Sequence, residues 1–231
     1  MVDLSNPDVL GDSGDVDTGG ADYRDAIEAH VARVLASGAR PISLGGDHSV
    51  TYPVLRAVSG RHTPLTILHV DAHADLYDVF DGDRYSHACP FARVMEEGLA
   101  ARLVQVGIRT LTGHQREQAD RFGVEVIDMR AWHTGERPVF AAHERIYLSL
   151  DLDGLDPAFA PGVSHPEPGG LTVREVLSMI HAIAGDLVGA DVVECNPDVD
   201  PSGVTALVGA KFVKEIAAQM YLLQRQDMPQ V

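Results

Sequence analysis

Thr66-Ile67-Leu68-His69-Val70-Asp71-Ala72-His73-Ala74-Asp75 runs from a short apolar stretch directly into an Asp-x-His-x-Asp cluster. The apolar part is long enough for one buried strand, and the cluster falls where that strand meets its following loop. Open α/β sheets place their chemistry at the carboxyl ends of parallel strands. Two further runs end in the same way. Pro41-Ile42-Ser43-Leu44 leads into Gly45-Gly46-Asp47-His48, and Ile146-Tyr147-Leu148-Ser149-Leu150 leads into Asp151-Leu152-Asp153. Three strand ends of this kind point to one shared site.

Outward from these runs, helical and strand patterns alternate. Helices are expected over Tyr23–Ser37, Val50–Val58, His87–Gly98, Gly113–Phe122, Thr172–Ala184 and Thr205–Leu223. Thr172 and Glu175 have the spacing of a capping box. Strands are expected at Pro41–Leu44, Leu65–Val70, Leu103–Val106, Val124–Ile127, Arg145–Leu150 and Val188–Glu194, with a short seventh around Val9. Arg130–Glu144 reads as irregular, and Asp156–Gly170 is too rich in Pro and Gly for helix or strand. The alternation predicts a parallel sheet covered on both faces, in a single domain over residues 1–231.

The composition bounds the function. The formal net charge is −16, which argues against nucleic acid or an anionic membrane as partner. No apolar run approaches the ~18 residues of a membrane span. Cys89 and Cys195 do not make a disulfide framework. The first twenty residues are polar and acidic, unlike a signal peptide, so a cytoplasmic location is expected.

His48, Asp71, His73, Asp75, Asp151 and Asp153 supply two imidazoles and four carboxylates. Taken singly, Asp151 and Asp153 read as loop caps and His48 as a helix-start residue. Taken together at three strand ends, they suit two divalent cations sharing carboxylates. Oxygen-rich ligation with some imidazole favours Mn²⁺, while Co²⁺ or Ni²⁺ would bind more tightly by the usual order. Such a pair activates water for attack on an electrophilic carbon, which implies hydrolysis. His87, downstream of Asp75, is the candidate proton shuttle, against the plainer reading of an exposed helix-start residue. Glu194, at another strand end, is the candidate partner for a cationic substrate, against that of a surface carboxylate. Asp78, Asp81 and Asp83 form an acidic loop suited to a cationic tail or simply to solvent. Arg84 and Ser86 are its donors for a substrate carboxylate. His69 reads as a core histidine.

Gly45-Gly46-Asp47-His48-Ser49, Asp71-Ala72-His73-Ala74-Asp75 and Ser149-Leu150-Asp151-Leu152-Asp153-Gly154-Leu155-Asp156-Pro157 resemble the three motifs of the ureohydrolase family of arginases and agmatinases. The likeness runs from about Gly11 to Lys214. Tyr85-Ser86-His87-Ala88 and Asp191-Val192-Val193-Glu194 bring it nearest to plant-type arginases and agmatinase-like bacterial relatives. The resemblance implies a three-layer α/β/α fold with a mainly parallel eight-stranded sheet, shortened here at its N-terminal end by the family's first strand. It implies a binuclear Mn²⁺ centre: His48, Asp71, Asp75 and Asp151 around one ion, Asp71, His73, Asp151 and Asp153 around the other, with Asp71 and Asp151 bridging. Asp75 would orient the bridging hydroxide, His87 would shuttle protons, and Glu194 would pair with the guanidinium. His165 would be a further substrate contact. The implied reaction is urea release from a guanidino substrate by a trimer or hexamer. Agmatine, giving putrescine, is the principal expectation; L-arginine, giving ornithine, is the alternative. A catalytically weak scaffold subunit is a second alternative, and deacetylase-type hydrolysis a more distant one.

Overall fold

The computed structural model describes residues 2–20 and 23–226. The elements in chain order are α1 (Tyr23–Ala36), β1 (Ile42–Leu44), α2 (Thr51–Ser59), β2 (Leu65–Val70), α3 (Pro90–Glu96), β3 (Arg102–Val106), α4 (Gly113–Phe122), β4 (Glu125–Ile127), α5 (Met129–His133), β5 (Arg145–Asp151), α6 (Val173–His181), β6 (Asp186–Val193) and α7 (Val204–Gln226). Short 3-10 turns follow β1, β5 and β6.

The strands form one all-parallel sheet in the order β1-β6-β5-β2-β3-β4. After β2 the chain builds outward through β3 and β4. It then returns to lay β5 on the other side of β2. The order therefore reverses between β2 and β5, and the carboxyl ends flanking such a reversal form a crevice. Asp71 follows β2 directly and Asp151 ends β5, so both lie at that crevice.

Alternation along the strands divides the core into two layers. Leu68, Val70, Ile146, Leu148 and Leu150 face α5, α6 and α7, where Trp132, Ile180, Phe212 and Ile216 pack on them. Leu65, Ile67, Leu103 and Tyr147 face the other way, against Ile27 and Val31 of α1, Leu55 of α2 and Phe91 of α3. This is a three-layer α/β/α arrangement. Both faces are apolar, which is why the strands read as nearly continuous hydrophobic runs. Capping boxes begin two helices, Thr112 with Gln115 at α4 and Thr172 with Glu175 at α6. Losing either cap residue would cost about 1 kcal/mol.

Three expectations need correction. No strand forms around Val9: its N–H donates to the Asn6 carbonyl at 2.9 Å, closing a turn. Among the described residues the sheet otherwise has the six strands that the apolar runs imply. The helix expected from His87 starts at Pro90, whose fixed φ suits a first turn, and leaves His87 in the preceding turn. A short helix, Met129–His133, capped by the Asp128 carboxylate, takes in the start of the stretch read as irregular. No helix among the described residues is long and apolar enough to cross a membrane.

Candidate metal centre

His48 opens the 3-10 turn after β1, where Asp47 caps it by accepting from the Ser49 N–H at 3.1 Å. The His48 side chain is 1% exposed. Its Nδ1 lies 3.0 Å from Asp75 Oδ2, 3.2 Å from Asp71 Oδ2 and 3.2 Å from Asp151 Oδ2. Despite these approaches, Nδ1 is in hydrogen-bonding geometry with none of them. One buried nitrogen facing three carboxylate oxygens at ligand-to-ligand spacing is a donor set that could hold a divalent cation. On the other side, His73 Nδ1 lies 3.4 Å from Asp71 Oδ1 and 3.1 Å from Asp153 Oδ2. Asp71 therefore divides its two oxygens between two groups. Asp151 offers Oδ2 to the first group, while its Oδ1 accepts from the Asp153 N–H at 2.7 Å.

The backbone is arranged around this cage. Asp75 and Glu194 adopt left-handed φ values of +51° and +63°, a conformation rare for non-glycine residues and concentrated at functional sites. A Cβ at Gly154 would stand 3.0 Å from the Asp71 nitrogen, so glycine lets the turn after β5 close against the end of β2.

Charge accounts for the rest. Burial and the nearby Asp71 carboxylate push Asp75 up to about 6 and Asp153 up to about 7. Burial, with Asp153 and Asp71 nearby, pushes Asp151 well above the carboxylate range. Burial pulls His73 down, but the Asp153 and Asp71 carboxylates beside its Nδ1, at 3.1 and 3.4 Å, prevail and hold it at about 11. These groups hold protons at pH 6–7 that an arriving cation must displace. Metal affinity should therefore increase with pH and weaken as pH falls through 7 and then 6. Calorimetric titration of Mn²⁺ at pH 7, in two buffers of different ionisation enthalpy, should show net proton release; no release, or uptake, would contradict this.

The remaining candidates lie around the cage. Glu194 is buried, and its Oε1 accepts from the His48 backbone N–H at 2.8 Å. His87 stacks on His165 with ring centroids 5.3 Å apart, and His165 meets His73 edge-on at 6.2 Å. His87 also lines a cavity of about 250 Å³ together with Tyr23, Asp47, Ser49, Phe80, Asp81, Asp83, Tyr85 and Ser86. Asp78 and Arg84 do not line it. Arg84 pairs with Glu96 at 3.1 Å, and Asp78 Oδ1 accepts from Gln118 at 2.7 Å.

The motifs alone did not reveal a polar row beneath the cage. In register across four strands stand Asp191, Ser149, His69 and Gln105. His69 Nε2 lies 2.7 Å from Asp71 Oδ2, and the Gln105 amide nitrogen lies 3.0 Å from His69 Nδ1 and 2.6 Å from the Ala74 carbonyl. That nitrogen donates to both, so His69 carries its proton on Nε2 and donates it to Asp71. His69 could contribute a ligand atom by position, in a group with His48 and Asp71. Its hydrogen bond commits it instead to orienting the carboxylate. The signal available in the sequence was strand alternation: His69, Ser149 and Asp191 are polar positions within otherwise apolar runs.

Fold and site together define an α/β/α protein with a buried carboxylate–imidazole cage for a pair of cations at its topological switch point. The chain belongs to the arginase family, whose sequence profile matches residues 5–218. It is 50% identical over 235 residues to "Arginase 1, mitochondrial" of Arabidopsis thaliana, covering 94% of this chain and 68% of that protein. It is 42% identical to the guanidinopropionase of Pseudomonas aeruginosa, covering 90% of this chain and 70% of that one. The solved structure of arginase from Medicago truncatula superposes with a TM-score of 0.80 at 49% identity, covering 86% of this chain and 65% of the other. The chain thus spans about two thirds of the length of these arginases. The expected cytoplasmic location is overturned, since the Arabidopsis relative is named as mitochondrial. The composition of the first twenty residues does not carry location.

Proposed function

We propose that the chain is a binuclear metal-dependent arginase, hydrolysing the guanidino group of L-arginine to urea and ornithine. The observation that carries this reading is the division of Asp71 between two ligand groups, Oδ2 toward His48 and Oδ1 toward His73. His48, Asp71, Asp75 and Asp151 would hold one cation, and Asp71, His73, Asp151 and Asp153 the other, with Mn²⁺ the fitting ion for this donor set. When bound, the pair supplies the Lewis acidity that brings a water molecule within reach of deprotonation near neutral pH.

The residues of the chain do the rest. Glu194, pinned through Oε1 by the His48 N–H, presents a carboxylate that matches the planar fork of a guanidinium. Asp75 orients the attacking water. His87, on the wall of the cavity, carries a proton to the departing amine through its ring nitrogens. His165, stacked on His87, holds that ring in place and bounds the substrate on the same side.

L-arginine takes precedence over agmatine, the principal expectation from the sequence, because the arginase relative stands at 50% identity. One observation favours the agmatine reading. The acidic groups lining the cavity are Asp47, Asp81 and Asp83, and Arg84 is turned away to Glu96. Ser86 in the same wall is a hydroxyl donor for the carboxylate that arginine carries and agmatine lacks.

Urea release by the Mn²⁺-loaded protein, measured on L-arginine, agmatine and guanidino acids, decides between them. L-arginine should give the highest kcat/KM. Preference for agmatine would overturn the substrate assignment, and no urea from any guanidino compound with metal bound would overturn the function.

A further inference from the structure

Asp191 lies in the middle of β6, fully buried, and forms no salt bridge with a basic side chain among the described residues. A carboxylate in that position is costly unless every lone pair it presents is satisfied. Three hydroxyls satisfy it: Ser149 at 2.7 Å on Oδ1, and Tyr147 at 2.7 Å and Thr51 at 3.0 Å on Oδ2. They come from the neighbouring strand β5 and from the first turn of α2.

The Ser149 contact leads to the cage. A serine hydroxyl has one hydrogen, and here Asp191 takes it. Toward its other neighbour, His48 Nε2 at 2.9 Å, Ser149 Oγ can then only accept. His48 must therefore carry hydrogen on Nε2. The nitrogen left without a hydrogen-bond partner is Nδ1, which faces Asp71, Asp75 and Asp151. We propose that Asp191, acting through Ser149, is the positioning residue that fixes the His48 imidazole with Nδ1 turned into the three-carboxylate face. The inference rests on the metal-centre reading above and adds a residue outside its ligand set. Metal-bound histidines need such a partner on the second ring nitrogen, and its loss lowers metal affinity about ten- to a hundredfold. Here the partner is a carboxylate one hydroxyl removed.

The prediction is selective, because His73 and Asp153 do not touch this relay. Mn²⁺ binding is followed by calorimetry and by the spin-resonance signal of free Mn²⁺ in the full chain and its variants. The wild type should take up about two equivalents. In Asp191→Asn, one equivalent should weaken about ten- to a hundredfold while the other stays within about threefold. Ser149→Ala, a milder substitution, should weaken the same equivalent and provides the test if Asp191→Asn fails to fold. Tyr147→Phe removes a different donor from the same carboxylate and should leave both affinities within about threefold. Nitrogen-15 shifts of His48 should report hydrogen on Nε2 in the wild type. Unchanged binding in Ser149→Ala, equal weakening of both equivalents, or a hydrogen-free Nε2 would overturn the proposal. A wild type that binds no Mn²⁺ would instead overturn the metal centre itself.

Discussion

Asp151→Ala is expected to abolish urea release, lowering kcat/KM by at least about three orders of magnitude. Asp151 is 2% exposed and ends β5, at the reversal of strand order. Its Oδ2 completes the triad of carboxylates around His48 Nδ1. Removing it leaves that face with Asp71 and Asp75 alone. Metal-supplied charge stabilisation is worth several kcal/mol, and each 1.36 kcal/mol is tenfold in rate. Asp151 Oδ1 also caps the following turn through the Asp153 N–H, a role worth only about 1 kcal/mol. The loss of activity should therefore far exceed any loss of fold. Elemental analysis of the folded variant should show less than the full metal complement. A variant with full metal and full turnover would remove Asp151 from the site.

His87→Ala is expected to slow turnover by about two to four orders of magnitude, the usual worth of a positioned acid or base, with metal content intact. His87 packs against Phe80 and His165 and forms no hydrogen bond to the six proposed ligands among the described residues. Its ring can be deleted without disturbing the groups around His48 and His73. Steady-state kinetics and metal analysis of the same preparation check both halves. Stripped metal in this variant would mean that His87 supports the cage rather than the proton transfer.

The strands that carry the site were legible because each is a buried apolar run ending in a polar cluster, a pattern that needs no tertiary information. β2 spans Leu65–Val70 as its composition implies, and α4 spans Gly113–Phe122. What escaped depends on neighbours. Val9 has a strand-forming side chain, but Asn6 captures its N–H in a turn. The helix near Met129 rests on the Asp128 cap, a local signal masked by the polar residues around it. The six proposed ligands could be chosen from spacing because acidic and imidazole side chains cluster at strand ends. Asp191, Ser149 and Gln105 could not, because each is an isolated polar position between apolar neighbours, marked by nothing but strand alternation. Their significance comes from cross-strand register, which a single run does not encode. Arg84, offered by the sequence as a carboxylate donor, is drawn off by Glu96 on α3, a partner twelve residues away.

Two cations sharing Asp71 are the defining feature of the proposed centre. Anomalous diffraction from crystals grown with Mn²⁺ tests this most directly. Two peaks are expected on opposite sides of Asp71, one beside His48 Nδ1 and the other beside His73 Nδ1. A single peak, or peaks away from these nitrogens, would contradict it.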